Sequence, residues 1–189
     1  MNKLVVVLCL VPFLSFVGCD KVDMQNRVAG SGMAVSETRA SSDVNKIVVE
    51  GDFTVIYKKA STNSIRITAQ ENLLPYIETT INGNTLSVVT KSGYLLVPTE
   101  NTSVIVRVSS PQVGSLSLLG SGLVSADTLV GDAMTMDLNG SGSLAVGYAK
   151  GASLSATILG SGSQEIRGAF NELSCSLDGS GRYLLTGKT

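Results

Sequence analysis

Four aspartates, Asp127, Asp132, Asp137 and Asp178, are the side chains of this sequence best placed to do acid–base or metal chemistry. A glycoside hydrolase needs two carboxylates held a few ångströms apart, and a lyase needs a base, usually beside acidic metal ligands. Only Asp137 and Asp178 fall near a recurring Gly-Ser-Gly triplet, and they lie two repeats apart at different offsets, three residues and one residue before its first glycine. They read as solvated charges rather than a converging pair. Histidine is absent, which removes the commonest proton shuttle and the commonest metal ligand at neutral pH. Cys175 alternates with apolar neighbours on what reads as an inward ladder, so it is expected as a small buried core residue with no base to activate it. The terminal Gly187-Lys188-Thr189 ends like a phosphate-binding loop, but that loop needs glycine five residues before Gly187, where Arg182 stands, and a helix after it. No catalytic residue, metal site or cofactor is expected, and the protein is not expected to be an enzyme.

The elements that would position such residues are bounded by composition. The chain has 189 residues, enough for one domain with a sizeable core. Fourteen Lys and Arg stand against fifteen Asp and Glu, and they are scattered rather than clustered, so no nucleic-acid partner is expected. Only 15% of residues are charged, where about a quarter is usual. Twenty glycines among many Ser and Thr point to an all-β chain with many turns.

The first residues read as an address. Lys3 precedes an apolar stretch from Leu4 to Phe16, too short for the roughly 18 to 20 residues that span a bilayer. Phe16-Val17-Gly18-Cys19 resembles the lipobox at which bacterial lipoproteins are cleaved and acylated, with Phe16 in place of the more common leucine. The expected division is a signal peptide over 1–18, a lipidated Cys19 with its tether over 19–28, and a domain over 29–189. Acyl chains on Cys19, palmitate among them, would make the membrane a partner, since two or three chains anchor where one is marginal. Cys9 leaves with the signal, so Cys175 is the one free thiol and no intramolecular disulfide can form. The expected location is the bacterial cell envelope, at the outer membrane or cell surface. Asp20 after the cysteine keeps the inner membrane open, because in some bacteria it signals retention there.

Gly-Ser-Gly occurs at Gly30 to Gly32, Gly120 to Gly122, Gly140 to Gly142, Gly160 to Gly162 and Gly179 to Gly181, and the last four begin 20, 20 and 19 residues apart. Before each of these four, apolar residues alternate with polar ones: Leu116 and Leu118, Met136 and Leu138, Ala156 and Ile158, Cys175 and Leu177. The inward set continues with Met134, Leu154 and Leu173 upstream and Ala126, Val146, Ile166 and Leu185 downstream. Each repeat thus offers two short strands joined at a corner. Gly120, Gly122, Gly140, Gly142, Gly160, Gly162, Gly179 and Gly181 are expected as structural turns, because glycine accepts positive φ and lets backbones approach. An anion cradle is the weaker reading, with no following lysine and no helix to aim at a phosphate. A leucine-rich repeat lacks its consensus here. The expected fold is all-β, a single-stranded right-handed parallel β-helix with coils of about 20 residues.

The amino-terminal half alternates too, through Ile47 and Val49, then Phe53, Val55 and Tyr57, then Ile65 and Ile67. Asn82-Gly83 marks a tight turn, either a hairpin or a coil corner. Gly30-Ser31-Gly32 leading to Glu37-Thr38-Arg39, the strand Gly51-Asp52-Phe53-Thr54-Val55, Glu71-Asn72-Leu73-Leu74-Pro75-Tyr76-Ile77, Asn82-Gly83-Asn84-Thr85-Leu86 and the repeated Leu-x-x-Gly-Ser-Gly occur in order. Together they resemble the head GIN domain family of putative auto-transporter adhesins, from about Val28 to the end. The resemblance implies a β-helix on an envelope lipoprotein and brings no catalytic residues. The expected function is therefore non-enzymatic: a cell-envelope lipoprotein presenting a β-helical, adhesin-like binding surface to a glycan or protein ligand not identified by the sequence. The alternatives are a structural, self-assembling envelope protein and a β-helical polysaccharide-processing enzyme. A homo-oligomer is compatible with a last coil that carries no polar cap and leaves a strand edge exposed.

Overall fold

The computed structural model describes residues 26–100 and 102–188. The signal segment and Cys19 lie outside the described residues. In chain order the strands are β1 (Asn26–Ala29), β2 (Ala34–Arg39), β3 (Lys46–Glu50), β4 (Thr54–Lys59), β5 (Ser64–Gln70), β6 (Ile77–Asn82), β7 (Thr85–Thr90) and β8 (Tyr94–Val97). They continue with β9 (Ile105–Ser110), β10 (Ser115–Gly120), β11 (Leu123–Val130), β12 (Ala133–Gly140), β13 (Ser143–Gly160), β14 (Ser163–Asp178) and β15 (Arg182–Lys188). A short 3-10 helix, Glu71–Tyr76, joins β5 to β6.

Alternating apolar residues put one face of each strand inside. Ile47, Leu116, Met136, Ala156 and Cys175 form one column across β3, β10, β12, β13 and β14; Val49, Leu118, Leu138, Ile158 and Leu177 form the next. Facing them are Tyr57, Ala126, Val146, Ile166 and Leu185 on β4, β11, β13, β14 and β15. Between Val146 and Ala149 the register with β14 shifts, so partners 20 residues apart before it (Val146 with Ile166) are 19 apart after it (Ala149 with Gly168). β13 is long enough to serve both walls, pairing with β11 by its first half and with β12 by its second. Each large apolar side chain buried in this way contributes about 1.5 to 3 kcal/mol.

The expectation of a single-stranded parallel β-helix is corrected by the whole strand order. One path of eleven strands runs β2-β5-β9-β4-β11-β13-β12-β10-β3-β7-β6 and folds back at β13 into a nearly closed, barrel-like mixed sheet. β2 with β5, β5 with β9, and β6 with β7 are antiparallel. β10 to β15 pair in parallel, and so do β3 with β7 and β4 with β9. Arg39 brings the two ends of the path together: its guanidinium donates to the carbonyls of Leu74 and Ile77, at 3.3 and 3.4 Å, while Glu37 holds it at 2.7 Å. The physical reason lies in the turns. Asn82-Gly83 makes a hairpin, with Gly83 at φ 58°, and so reverses β6 onto β7 instead of advancing a coil. Gly30-Ser31-Gly32, which shares the triplet, sits apart from the others, its Ser31 amide donating to the Asn72 side chain. Asn26 to Val28, expected in the tether, already belong to β1, which pairs with β8 in a separate two-stranded sheet.

Cys175 is exposed, against the expectation of a buried core residue. Its column partners Met136 and Ala156 are buried because a strand covers them on each side, whereas β14 beyond Ala169 has a neighbour only in β13. Leu177 and Leu185, also expected inside, are 46% and 40% exposed for the same reason. The fourth inward column turns polar toward this end, running Val55, Val124, Leu144, Gln164, Tyr183. Gln164 is buried and donates across the core to the carbonyls of Met136 and Thr157, and Tyr183 donates to those of Ala156 and Ser176. At the other end Tyr57 is fully buried, donating at 3.0 Å to the Ser110 carbonyl, and burial pushes its hydroxyl up to about 12.

Candidate binding face

The glycine corners come first, because they hold the strands in line. Gly120, Gly140, Gly160 and Gly179 have φ of 126°, 129°, 122° and 123°, and Gly51 joins the column at 118°. A Cβ on Gly122, Gly142, Gly162 or Gly181 would press into a carbonyl oxygen of the neighbouring corner. The corner amides are occupied: Gly142 and Ser143 donate to Gly120 and Gly122, Gly162 and Ser163 to Gly140 and Gly142, and Gly181 and Arg182 to Gly160 and Gly162. Peptide groups bonded corner to corner leave those amides no anion to hold. The ladder opens at Gly51-Asp52-Phe53, whose Phe53 carbonyl accepts from Leu123.

Strands held in this register carry a patterned outer face. One row crosses six strands as Thr85, Lys46, Ser115, Thr135, Ser155 and Ser174, and the next as Ser87, Val48, Ser117, Asp137, Thr157 and Ser176. Five strand spacings make each row about 24 Å long. Ser115 and Thr135 hydroxyls meet at 2.6 Å, so neighbouring rungs bond along the row. Beside them runs Leu119, Asn139, Leu159 and Asp178, with Leu119 and Leu159 both exposed.

At the far end of these strands from the glycine corners lies an open groove of about 720 Å³, lined by Gln112, Val130, Gly131, Asp132, Lys150, Gly151, Ala152, Ala169, Phe170 and Asn171. Its floor is backbone, since a Cβ on Gly151 would run into the Gly131 carbonyl. Asp132 and Lys150 are exposed on its walls, and neither belongs to an ion pair among the described residues. Sequence reasoning missed Lys150, Asn171 and Phe170. The signal that could have found them is Gly131 and Gly151, a second glycine pair at the 20-residue spacing.

The four aspartates do not converge. Asp127 accepts from the Lys59 amide at 3.0 Å, Asp132 faces the groove, and Asp137 and Asp178 stand in different rows two strands apart, about 10 Å by strand spacing. Among the described residues no three acidic or sulfur ligands gather where a metal ion could bind. Hydrogen bonding and apolar contact are what this face offers chemically.

The fold is thus an all-β, nearly closed mixed sheet with a ruled polar face. The chain belongs to the family described as putative auto-transporter adhesin, head GIN domain, which matches residues 43–187. A solved structure, a putative lipid binding protein from Parabacteroides distasonis, has the same fold at TM-score 0.62 and 18% identity, over 87% of this chain and all of that one. Putative adhesins from Bacteroides fragilis (TM-score 0.48, 14% identity, 85% of this chain and 99% of that) and Parabacteroides merdae (0.47, 18%, 87% and 99%) are also similar. No curated protein sequence matches the chain.

Proposed function

We propose that the protein is a non-enzymatic, lipid-anchored envelope protein that acts as an adhesin, holding an extended glycan on the hydroxyl rows and in the adjoining groove. The observation that carries this reading is the spacing: hydroxyl groups recur on five of the six strands, with Asp137, Asn139 and Asp178 among them, and exposed leucines beside them suit the apolar faces of sugar rings. The adhesin description of the family supports it. Cys19 is the proposed anchor, and its exchange for alanine should abolish lipid labelling and membrane fractionation. Each site binds weakly, and crowding of anchored copies on the membrane supplies avidity.

The test presents the protein to envelope glycans, peptidoglycan and host matrix proteins, scoring retention and cleavage separately. Retention without cleavage, weakened by Asp132→Ala with Lys150→Ala, is the expected result. Turnover of a glycan, lost on changing one carboxylate, would replace binding with catalysis. A lipid ligand, as named for the Parabacteroides distasonis relative, is poorly served: the apolar cavity between Ile166, Phe170, Leu173 and Leu185 holds about 150 Å³, below the roughly 300 to 1,000 Å³ of small-molecule sites.

A further inference from the structure

Two strand edges at one end of the molecule are unpaired among the described residues. From Asn171 to Asp178, β14 pairs only with β13, and β15 pairs only with the first half of β14. Both edges belong to the last turn, joined at Gly179-Ser180-Gly181, and both leave apolar residues open, Leu177 at 46% and Leu185 at 40%. Bare edges with exposed apolar side chains are templates for pairing.

We propose that this end is an interface between two copies of the chain, in which β14 of each lies antiparallel against β15 of the other across a two-fold axis. Charge decides the occupant and the arrangement. The open half of β14 carries Glu172 and Asp178 and no cation, whereas β15 opens on Arg182 and carries no acid. A closed end-to-end pair can be built in two ways. Laying β14 on its own copy with Cys175 opposite Cys175 sets Glu172 against Asp178, like against like. Crossing the strands sets Asp178 opposite Arg182, opposite signs, and takes Glu172 away from Asp178.

Register follows from the corner. Asp178 and Arg182 flank the same Gly-Ser-Gly turn, so a crossed pair needs no slip along the strands. Leu177 then falls opposite Tyr183 and Cys175 opposite Leu185, inward residues against inward ones. Ser176 falls opposite Leu184, both outward. The column that already turns polar at Gln164 and Tyr183 is continued by the second copy, and the exposed last rung becomes an interior one.

Sedimentation velocity of the full chain over a concentration series tests this. A monomer–dimer equilibrium is expected, weakened about tenfold or more by Asp178→Arg or by Arg182→Asp alone, and restored when both changes are made in one chain. Circular dichroism checks that each variant keeps its sheet. Independently of those variants, Ser176→Cys with Leu184→Cys in a Cys175→Ser background should give a covalent dimer on mild oxidation, since directly opposed positions suit a disulfide. A wild-type chain that stays monomeric at about 100 µM, where even weak protein pairs associate, would overturn the proposal. So would a dimer indifferent to both charges, a double exchange that fails to restore pairing, or rapid Cys175–Cys175 oxidation.

Discussion

Leu138 and Leu177 stand two strands apart in one inward column, and one is 1% exposed where the other is 46%. Toward β3 and β4 the stack is overlaid by β7 and β9, then by antiparallel β5 and β6, with the 3-10 helix burying Leu73 and Leu74. Toward β15 nothing described lies beyond. Pattern therefore fixes which way a side chain points, and the neighbouring strand fixes whether water reaches it.

The largest loss belongs inside the column. Ile158→Asp would bury an unpaired carboxylate between covered strands, and chemical denaturation should record a loss of about 4 kcal/mol or more. Thr157→Asp, on the outer face, should cost under about 1 kcal/mol. Equal losses would refute the assignment of faces.

Next in size is the corner. Gly160 has φ 122°, and an added Cβ would sit 2.5 Å from the Gly140 carbonyl oxygen, so Gly160→Ala should cost about 2 to 4 kcal/mol by strain and displaced backbone. Gly114, where a Cβ would meet only the Ala133 carbonyl oxygen at 3.8 Å, should accept alanine within about 1 kcal/mol in the same denaturation measurement.

Tyr57 sharpens the covered end by pH. Its hydroxyl titrates at about 12 in the folded chain against 10.0 when exposed, chiefly because burial disfavours the phenolate, with the charge of Asp127 adding to the rise. Between those values the folded state holds the proton that the unfolded state has released. The stabilisation is full below pH 10 and is lost as pH climbs toward 12, up to about 3 kcal/mol from this one group. Tyr57→Phe should flatten that part of a stability–pH curve. An unchanged slope would place the alkaline loss elsewhere.

The smallest effect belongs to the open end. Leu177→Ala, in dilute protein, should cost under about 1 kcal/mol, where Leu138→Ala should cost about 2 to 5 kcal/mol. Comparable losses would mean that Leu177 is covered in solution.

Much of the stacked half was legible, because period-two alternation and positive-φ glycines are local signals and their recurrence sets a register. The closing half was not. Whether β5 returns antiparallel on β9, or β7 runs parallel beside β3, depends on partners more than thirty residues away, and a strand's alternation is the same in either direction. The Asn82-Gly83 turn was visible, but a hairpin and a corner share its chemistry. Burial of Cys175 was misread because alternation carries no information about a missing neighbour. The hydroxyl rows could be anticipated from the repeat, whereas the groove arises where one strand hands over to the next and has only Gly131 and Gly151 to announce it.

β1 pairs with β8 beside the covered end, so the chain enters the fold on the side away from β15. With Cys19 acylated, six residues would lie between the anchor and Asn26, a reach of about 25 Å at full stretch. Two copies joined at their open ends would then carry their anchors at opposite tips of one rod. With that reach at each tip, both anchors would enter one bilayer while the pair lies flat upon it, so that each dimer would be held by twice the acyl chains of a single copy.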